Sequence, residues 1–165
     1  MTKSNNLGRH STKRYFAVIG LLIQLSFLPL CTYTYGEPIY SSFDAEFKKG
    51  LQYYNESKFN LSMSIFMNLS SAYSFCSKCF YYAGKSTGKL ASEASWFQAT
   101  KLARETLGYF QKAYLLNPND YEIARDLAEY YQTAPTFLGG NQTKGDALSI
   151  KANNLKSILQ QRKYD

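Results

Sequence analysis

The apolar residues from Phe43 onward recur every three or four positions along the chain. Two series show this spacing: Phe43, Phe47, Leu51 and Tyr54, and later Ala124, Leu127, Ala128 and Tyr131. Such spacing lines the apolar side chains along one face of an α-helix, whereas a β-strand needs alternation with a period of two. No long alternating run occurs in the sequence, which therefore predicts an all-α fold.

Short segments rich in polar residues, glycine or proline interrupt this pattern. They lie at residues 55–58, 70–77, 84–88, 117–119 and 134–140. Helices commonly end at such segments, because these residue types favour turns over continued helix. The interruptions predict about six helices between residues 37 and 165. Asn119 or Asp120, and later Asn141, are the predicted N-caps of the helices that follow them.

The N-terminal segment differs in composition from the rest of the chain. Residues 1–14 contain four basic residues and no acidic one, namely Lys3, Arg9, Lys13 and Arg14. Residues 15–30 are almost wholly apolar, and small residues precede Glu37. This order predicts a signal peptide over residues 1–36, cleaved before Glu37. The protein is then expected to be exported, either periplasmic or secreted.

Two alternatives to cleavage stay open. The leader could remain uncleaved and anchor the protein in the inner membrane through residues 15–30, or a lipid could be attached to Cys31. A helix of that length covers about 24 Å, less than the roughly 30 Å hydrocarbon core of a bilayer. Leu30 occupies a position where lipoprotein signals carry a small residue. Both features favour cleavage.

The basic character of the chain lies largely in this leader. The whole chain has a formal net charge of +7, but residues 37–165 hold 15 basic and 12 acidic residues, a net charge of +3. Their lysines and arginines are scattered rather than gathered into a block. The sequence therefore predicts no nucleic-acid partner. Contact with a membrane is expected only through the leader, if it is uncleaved.

Two glycines, Gly50 and Gly84, lie 34 residues apart in similar surroundings. The first block contains Phe47, Gly50, Tyr53, Phe59, Ser62, Phe66 and Leu69, and the second contains Phe80, Ala83, Gly84, Phe110, Ala113 and Pro118. This arrangement resembles the tetratricopeptide repeat (TPR). In that repeat, small residues let two antiparallel helices approach closely, aromatic side chains fill the gap to the next hairpin, and a proline ends the second helix.

The resemblance implies about three stacked antiparallel helical hairpins, a TPR-like α-solenoid, in a domain of residues 37–165. The approximate repeats are 43–76, 77–120 and 121–163. The segment 113–120 is the most specific match to the family. The second block is about ten residues longer than a regular repeat, and the extra residues fall near 87–96. The Ala-Pro-x-x-Leu-Gly-Gly segment at 134–140 resembles a turn in a group of exported bacterial repeat proteins.

The resemblance also implies a function, the binding of a protein or peptide on the concave face of the stacked helices. The positions expected on that face are Phe47, Leu51, Tyr54, Tyr81, Lys85, Arg125, Glu129 and Gln132. Aromatic and charged side chains of this kind suit protein recognition. The only histidine of the chain, His10, lies in the leader. We therefore expect a non-enzymatic scaffold with no catalytic residues, no metal site and no cofactor.

Cys76 and Cys79 form the one Cys-x-x-Cys motif of the chain. The favoured interpretation is a local disulfide at the entrance to the second repeat, which an oxidising compartment permits. A redox-active pair is the alternative, although such motifs usually follow a β-strand. Another alternative function is small-ligand binding in an apolar cavity near Trp96 or the turn at Phe137.

Overall fold

A computed structural model describes residues 39–163, which form six α-helices joined by short turns. The helices are α1 (Ile39–Asn55), α2 (Phe59–Ala72), α3 (Ser77–Glu93), α4 (Trp96–Leu116), α5 (Tyr121–Thr133) and α6 (Gln142–Gln161). No β-strand occurs in these residues, so the predicted all-α fold is confirmed for this part of the chain. The predicted signal peptide and Cys31 lie outside the described residues.

Side-chain caps begin α5 and α6 where the sequence predicts them. Asp120 Oδ1 accepts hydrogen bonds from the backbone N–H groups of Glu122 and Ile123, at 3.0 and 3.2 Å. Asn141 Oδ1 accepts one from the N–H of Lys144, at 2.9 Å. Each cap satisfies an N–H group that has no acceptor within its own helix. The two predicted caps are confirmed.

One predicted interruption is wrong. Helix α3 runs without a break through residues 84–88, and the chain turns instead at Ala94 and Ser95. The reason is that Gly84 serves helix packing. A Cβ atom built on Gly84 would lie 2.8 Å from Cδ1 of Phe110, so the glycine allows α3 and α4 to approach closely. The extra residues predicted near 87–96 lengthen the helices, since α4 alone has 21 residues.

Each helix packs mainly against the helices that precede and follow it in the chain. The closest associations are α1 with α2, α2 with α3, α3 with α4, and α5 with α6, and α1 also reaches α3. Each of the three intervals taken from the repeat pattern contains the larger part of two consecutive helices. None of the described helices combines the length and apolar character needed to cross a membrane.

Helix α3 contributes to two clusters of buried side chains. The cluster formed with α1 and α2 contains Phe66, Leu69, Cys79 and Ala83. The cluster formed with α4, α5 and α6 contains Tyr81, Phe110, Ala113, Ile123, Ala124, Leu127, Ala128, Leu148 and Ala152. Tyr82 packs against both clusters, with its ring stacked 5.1 Å from that of Phe66. The interior of the protein is therefore continuous across α3.

The segment between α5 and α6 is held by the Tyr130 hydroxyl. This oxygen lies 2.8 Å from the carbonyl oxygen of Ala103 and 3.1 Å from that of Leu138. Gly139 has a φ of 93°, in the left-handed region that favours glycine. A Cβ atom on Gly140 would overlap the backbone of Ala134. These contacts fix the direction in which α6 leaves α5.

Candidate functional site

An open groove of about 520 Å³ lies across α3, α4 and α5, with Tyr54 of α1 at its edge. We call it the Lys85 groove. Four of the eight residues predicted for the binding face line it, namely Tyr54, Lys85, Arg125 and Glu129. Gly84 and Gly88 of α3 and Phe110 of α4 also contribute to its surface. The structure thus brings residues from four separate helices to one surface.

Asp126 is the polar centre of the Lys85 groove. The Tyr81 hydroxyl donates a 2.7 Å hydrogen bond to Asp126 Oδ2. The Nη2 and Nε atoms of Arg125 lie 2.6 and 2.8 Å from Oδ1, and Nζ of Lys85 lies 3.9 Å from Oδ2. The carboxylate is largely buried, so the surrounding donors and cations replace the water that it loses.

These contacts change the pKa of both principal partners. Burial, and then the hydrogen bond to Asp126, raises the pKa of Tyr81 far above its usual range. The hydrogen bond to Asp126 also raises the pKa of Arg125. At neutral pH Tyr81 is therefore a neutral hydrogen-bond donor in the interior, and Arg125 is a cation at the groove surface. Both contact the carboxyl group of Asp126.

Lys85 sits among aromatic rings. Its Nζ atom is 5.3 Å from the ring centroids of both Tyr54 and Tyr81, and 6.0 Å from that of Tyr82. Ammonium groups at such distances are attracted to the ring faces. Lys85 is thus oriented by α1, by its own helix and by Asp126 of α5, and its position depends on the packing of all three helices.

Three of the predicted binding residues pack against the interior: Tyr81 is buried, and Phe47 and Leu51 are half-buried. Tyr81 is 1% exposed, so it orients Asp126 and offers no contact surface to a partner. Phe47 packs edge-on against Phe66 and Tyr82, with ring centroids 5.2 and 6.0 Å apart, and Leu51 packs against the same cluster. The spacing of aromatic residues in the sequence could not distinguish these positions from those that line the groove. Buried and exposed residues of one helix recur with the same period.

Gln132 also lies away from the groove. Its Nε2 donates a 2.8 Å hydrogen bond to Asp146 Oδ1 of α6. A Cβ atom on Gly145 would lie 2.5 Å from Cγ of Gln132, so the two helices meet at this point. Gln132 thus acts at the junction of α5 and α6. The predicted binding face does not include Asp126, which is marked in the sequence only by its position between the apolar residues Ile123 and Leu127.

Cys76 and Cys79 are joined by a disulfide at the start of α3. Cys79 is fully buried, while Cys76 is partly exposed and its sulfur accepts a hydrogen bond from the Cys79 N–H. Lys78, between them, is directed to α5, where its Nζ lies 3.0 Å from Asp120 and 2.7 Å from Glu122. Burial lowers the pKa of Lys78, but the bonds to these two carboxylates outweigh it and raise the pKa overall.

Trp96 and Phe137, near which the alternative small-ligand site was expected, lie at the surface. Trp96 and Phe137 contact each other, with ring centroids 6.2 Å apart, but their side chains are 69% and 54% exposed. They form an exposed aromatic pair on the surface. Within residues 39–163, no three histidine, cysteine, aspartate or glutamate side chains gather closely enough to hold a metal ion.

A scan against protein-family models finds no match to this chain, and a search of curated proteins finds no significantly similar sequence. The TPR resemblance therefore rests on the residues quoted above.

Proposed function

We propose that this chain is an exported, non-enzymatic scaffold of TPR-like helical hairpins that binds a peptide segment of another protein in the Lys85 groove. The observation that carries the proposal is the gathering of Tyr54, Lys85, Arg125 and Glu129 on one open surface. These residues come from three helices, and Tyr54, Lys85 and the pair Arg125 and Glu129 are far apart in the sequence. The packing of each helix on its chain neighbours supports the solenoid arrangement.

The chemistry of the groove suits a peptide with both apolar and polar groups. The half-buried ring of Tyr54 offers an apolar surface, and Lys89 and Arg125 are exposed donors able to bind carbonyl or carboxylate oxygens. Glu129 is exposed and takes part in no ion pair formed within residues 39–163. It is the natural acceptor for an amide or basic group of the bound segment.

The test is a selection of random 12-residue peptides displayed on phage against the purified protein. Selected peptides are then titrated against wild type, Lys85→Met and Glu129→Gln by fluorescence anisotropy. We expect Kd to rise tenfold or more in both variants. Lys101→Met, on the exposed side of α4, is the control and should bind as wild type does.

Each variant is first compared with wild type in its urea unfolding midpoint. If Lys85→Met is destabilised, Glu129→Gln still tests the groove because its side chain is exposed. Peptides that bind all four proteins equally well would place binding elsewhere. A selection that enriches no peptide would also count against the proposal.

Export is tested by N-terminal sequencing of the protein isolated from the cell that makes it. The proposal expects Glu37 as the first residue of the isolated protein. A protein that retains residues 1–36 would instead support the uncleaved membrane anchor. A protein that begins at a lipidated Cys31 would support the lipoprotein alternative.

A second candidate function is thiol–disulfide exchange, favoured by the unequal exposure of Cys76 and Cys79. A thiolate of a dithiol substrate would attack the accessible sulfur of Cys76 and release Cys79 as a thiol. The second substrate thiol would then release Cys76, leaving the substrate oxidised and this pair reduced. We expect the oxidised protein to accelerate disulfide formation in a model dithiol peptide, and Cys76→Ser to be inert. A wild-type rate equal to the rate without protein would exclude this function.

A further inference from the structure

A second open groove, of about 660 Å³, lies between α4, α5 and α6 on residues that the Lys85 groove does not use. We call it the Lys151 groove. Its surface is mostly apolar and includes Tyr114, Leu115, Leu127, Tyr131, Ala147 and Leu148. Leu127 and Leu148 are buried at its base, whereas Leu115 at the rim is 73% exposed. A bound apolar side chain would therefore cover surface that now faces water.

Two lysines of α6 stand at the edge of this groove. Lys151 donates a 2.8 Å hydrogen bond to the Tyr114 hydroxyl, and its Nζ lies 5.0 Å from the centroid of that ring. Nζ of Lys144 lies 5.9 Å from the ring centroid of Tyr131. Neither lysine takes part in an ion pair formed within residues 39–163. Both cations are held against tyrosines and lack an anionic partner there.

The spacing of these lysines specifies a partner. They are seven residues apart, which is two helical turns or about 10.5 Å along α6, and Ala147 and Leu148 lie between them. Positions i, i+3, i+4 and i+7 share one face of a helix. Along the edge of the groove, a lysine, two apolar residues and a second lysine therefore lie in a single row. A helix lying beside α6 would match this row with acidic residues at i and i+7 and apolar residues at i+3 and i+4.

The acidic residue nearest in sequence does not neutralise this row. Asp146 lies two positions beyond Lys144, on the other side of α6, where its carboxylate accepts hydrogen bonds from Gln132 and Gln142. From the apolar floor, the two unpaired cations and their two-turn spacing, we infer that the Lys151 groove binds an acidic amphipathic helix of a partner protein. Recognition is of the helix-in-groove type, with charge complementarity setting the register of the bound helix along α6.

The test uses designed helical peptides of about 18 residues. One carries Glu at i and i+7 and Leu at i+3 and i+4, and a second has Lys in place of Glu. Binding is measured by fluorescence anisotropy against the full chain at 50 and 500 mM salt. We expect the acidic peptide to bind at least tenfold more tightly than the basic one, and high salt to weaken that binding.

The variant Lys144→Gln with Lys151→Gln should raise the Kd of the acidic peptide at least tenfold. Lys48→Gln with Lys101→Gln removes the same total charge from the exposed surfaces of α1 and α4, and should leave Kd unchanged. Leu115→Ser removes an apolar side chain at the rim of the groove, and it should also raise the Kd of the acidic peptide. Equal binding of the two peptides, or equal effects of the two double variants, would overturn the inference.

Two other occupants have distinct signatures. A dimer seen in sedimentation of wild type and lost in Leu115→Ser would assign the groove to a second copy of the chain. Tighter binding of oleate than of the acidic peptide, lost in the Lys144→Gln, Lys151→Gln variant, would assign it to a lipid-like anion. Either result would overturn the assignment to an acidic helix.

Discussion

Asp126 links the interior of the protein to the surface of the Lys85 groove. Its carboxylate contacts Tyr81 from the core, and Arg125 and Lys85 at the surface. A largely buried anion is tolerated only when donors and cations surround it, and removing its charge leaves those partners without their acceptor. The geometry of the proposed binding surface therefore depends on one acidic side chain that need not touch the peptide.

Asp126→Asn should lower the free energy of unfolding by about 1.5–3 kcal/mol, the range for losing a hydrogen bond to a charged group. The measurement is urea unfolding followed by circular dichroism. Asp146→Asn is the control, because its carboxylate is exposed and accepts hydrogen bonds from two neutral amide groups. It should shift stability by no more than about 0.5 kcal/mol. Equal effects of the two substitutions would contradict the central role of Asp126.

Tyrosine ionisation should make the protein less stable in alkali. Burial raises the pKa of Tyr54, Tyr81, Tyr82, Tyr109 and Tyr130 above their usual value. A raised folded pKa means that the folded state holds the proton more tightly than the unfolded state. The resulting stability is fully present below pH of about 10, the pKa in the unfolded chain, and is lost as pH rises above it.

In urea titrations we expect the free energy of unfolding to fall between about pH 10 and pH 11.5. In this range the tyrosines of the unfolded chain ionise, while those with a raised pKa in the folded protein keep their protons. Tyr81→Phe should flatten this dependence by up to about 1.4 kcal/mol per pH unit, because it removes the tyrosine that holds its proton most tightly. An unchanged slope in Tyr81→Phe would show that this hydroxyl does not control the alkaline behaviour.

At the scale of elements, α3 decides how the other helices are arranged. It contributes Cys79 and Ala83 to one cluster of buried side chains and Tyr81 to the other. Its glycines allow α4 to approach, and it carries Lys85 at the groove. The helix is thus packed on several sides. Substitution of one of its small residues should therefore disturb the packing of more than one neighbouring helix and lower stability.

Gly84→Ala should destabilise the protein by about 1–3 kcal/mol, since the new methyl group would press on Phe110 and overpacking is costly. Gly108→Ala is the matched control within α4. A Cβ atom there would meet nothing within 4 Å, so the better helix propensity of alanine should stabilise the protein by up to about 1 kcal/mol. Thermal unfolding of the two variants gives the comparison. Two shifts of the same sign would contradict the close approach of α3 and α4.

Reducing the disulfide at the start of α3 should have a modest effect. The bond closes a loop of only four residues, for which the chain-entropy estimate is about 2 kcal/mol. We expect reduction to lower the unfolding midpoint while leaving peptide binding in the Lys85 groove unchanged. Cys76→Ser with Cys79→Ala is the control, and it should not respond to reductant. Loss of peptide binding on reduction would show that binding in the Lys85 groove requires the disulfide.

At the scale of the whole molecule, packing is dominated by helices that follow one another in the chain. Contacts of this kind can form early, because they close short loops at little cost in entropy. The continuous interior across α3 couples the two buried clusters, so we expect the helices to unfold as one unit. The two grooves share no lining residue, so each could be occupied while the other is empty.

Refolding of the oxidised protein should be fast, with its main phase complete within milliseconds, as for other helical proteins with mostly local contacts. Stopped-flow dilution from urea, followed by tyrosine fluorescence, measures this rate. A main phase of a second or slower would show that contacts between distant helices limit folding.

Local patterns alone were enough to predict the helical fold and the caps at Asp120 and Asn141, because each depends on residues only a few positions apart. The spacing of the repeats also predicted a binding face of eight residues, of which Tyr54, Lys85, Arg125 and Glu129 line the Lys85 groove. It did not separate them from Tyr81, which is buried, or from Phe47, which is half-buried and packs against a core cluster.

Tertiary structure decided the remaining features. Helix α3 continues through residues 84–88 because Phe110 of α4 needs the space beside Gly84, and nothing near Gly84 in the sequence reveals that neighbour. Asp126 is central because Tyr81 and Lys85 approach it from another helix. Whether an aromatic side chain is buried or an acidic one is paired depends on what the neighbouring helix places against it, and only the folded chain brings those partners together.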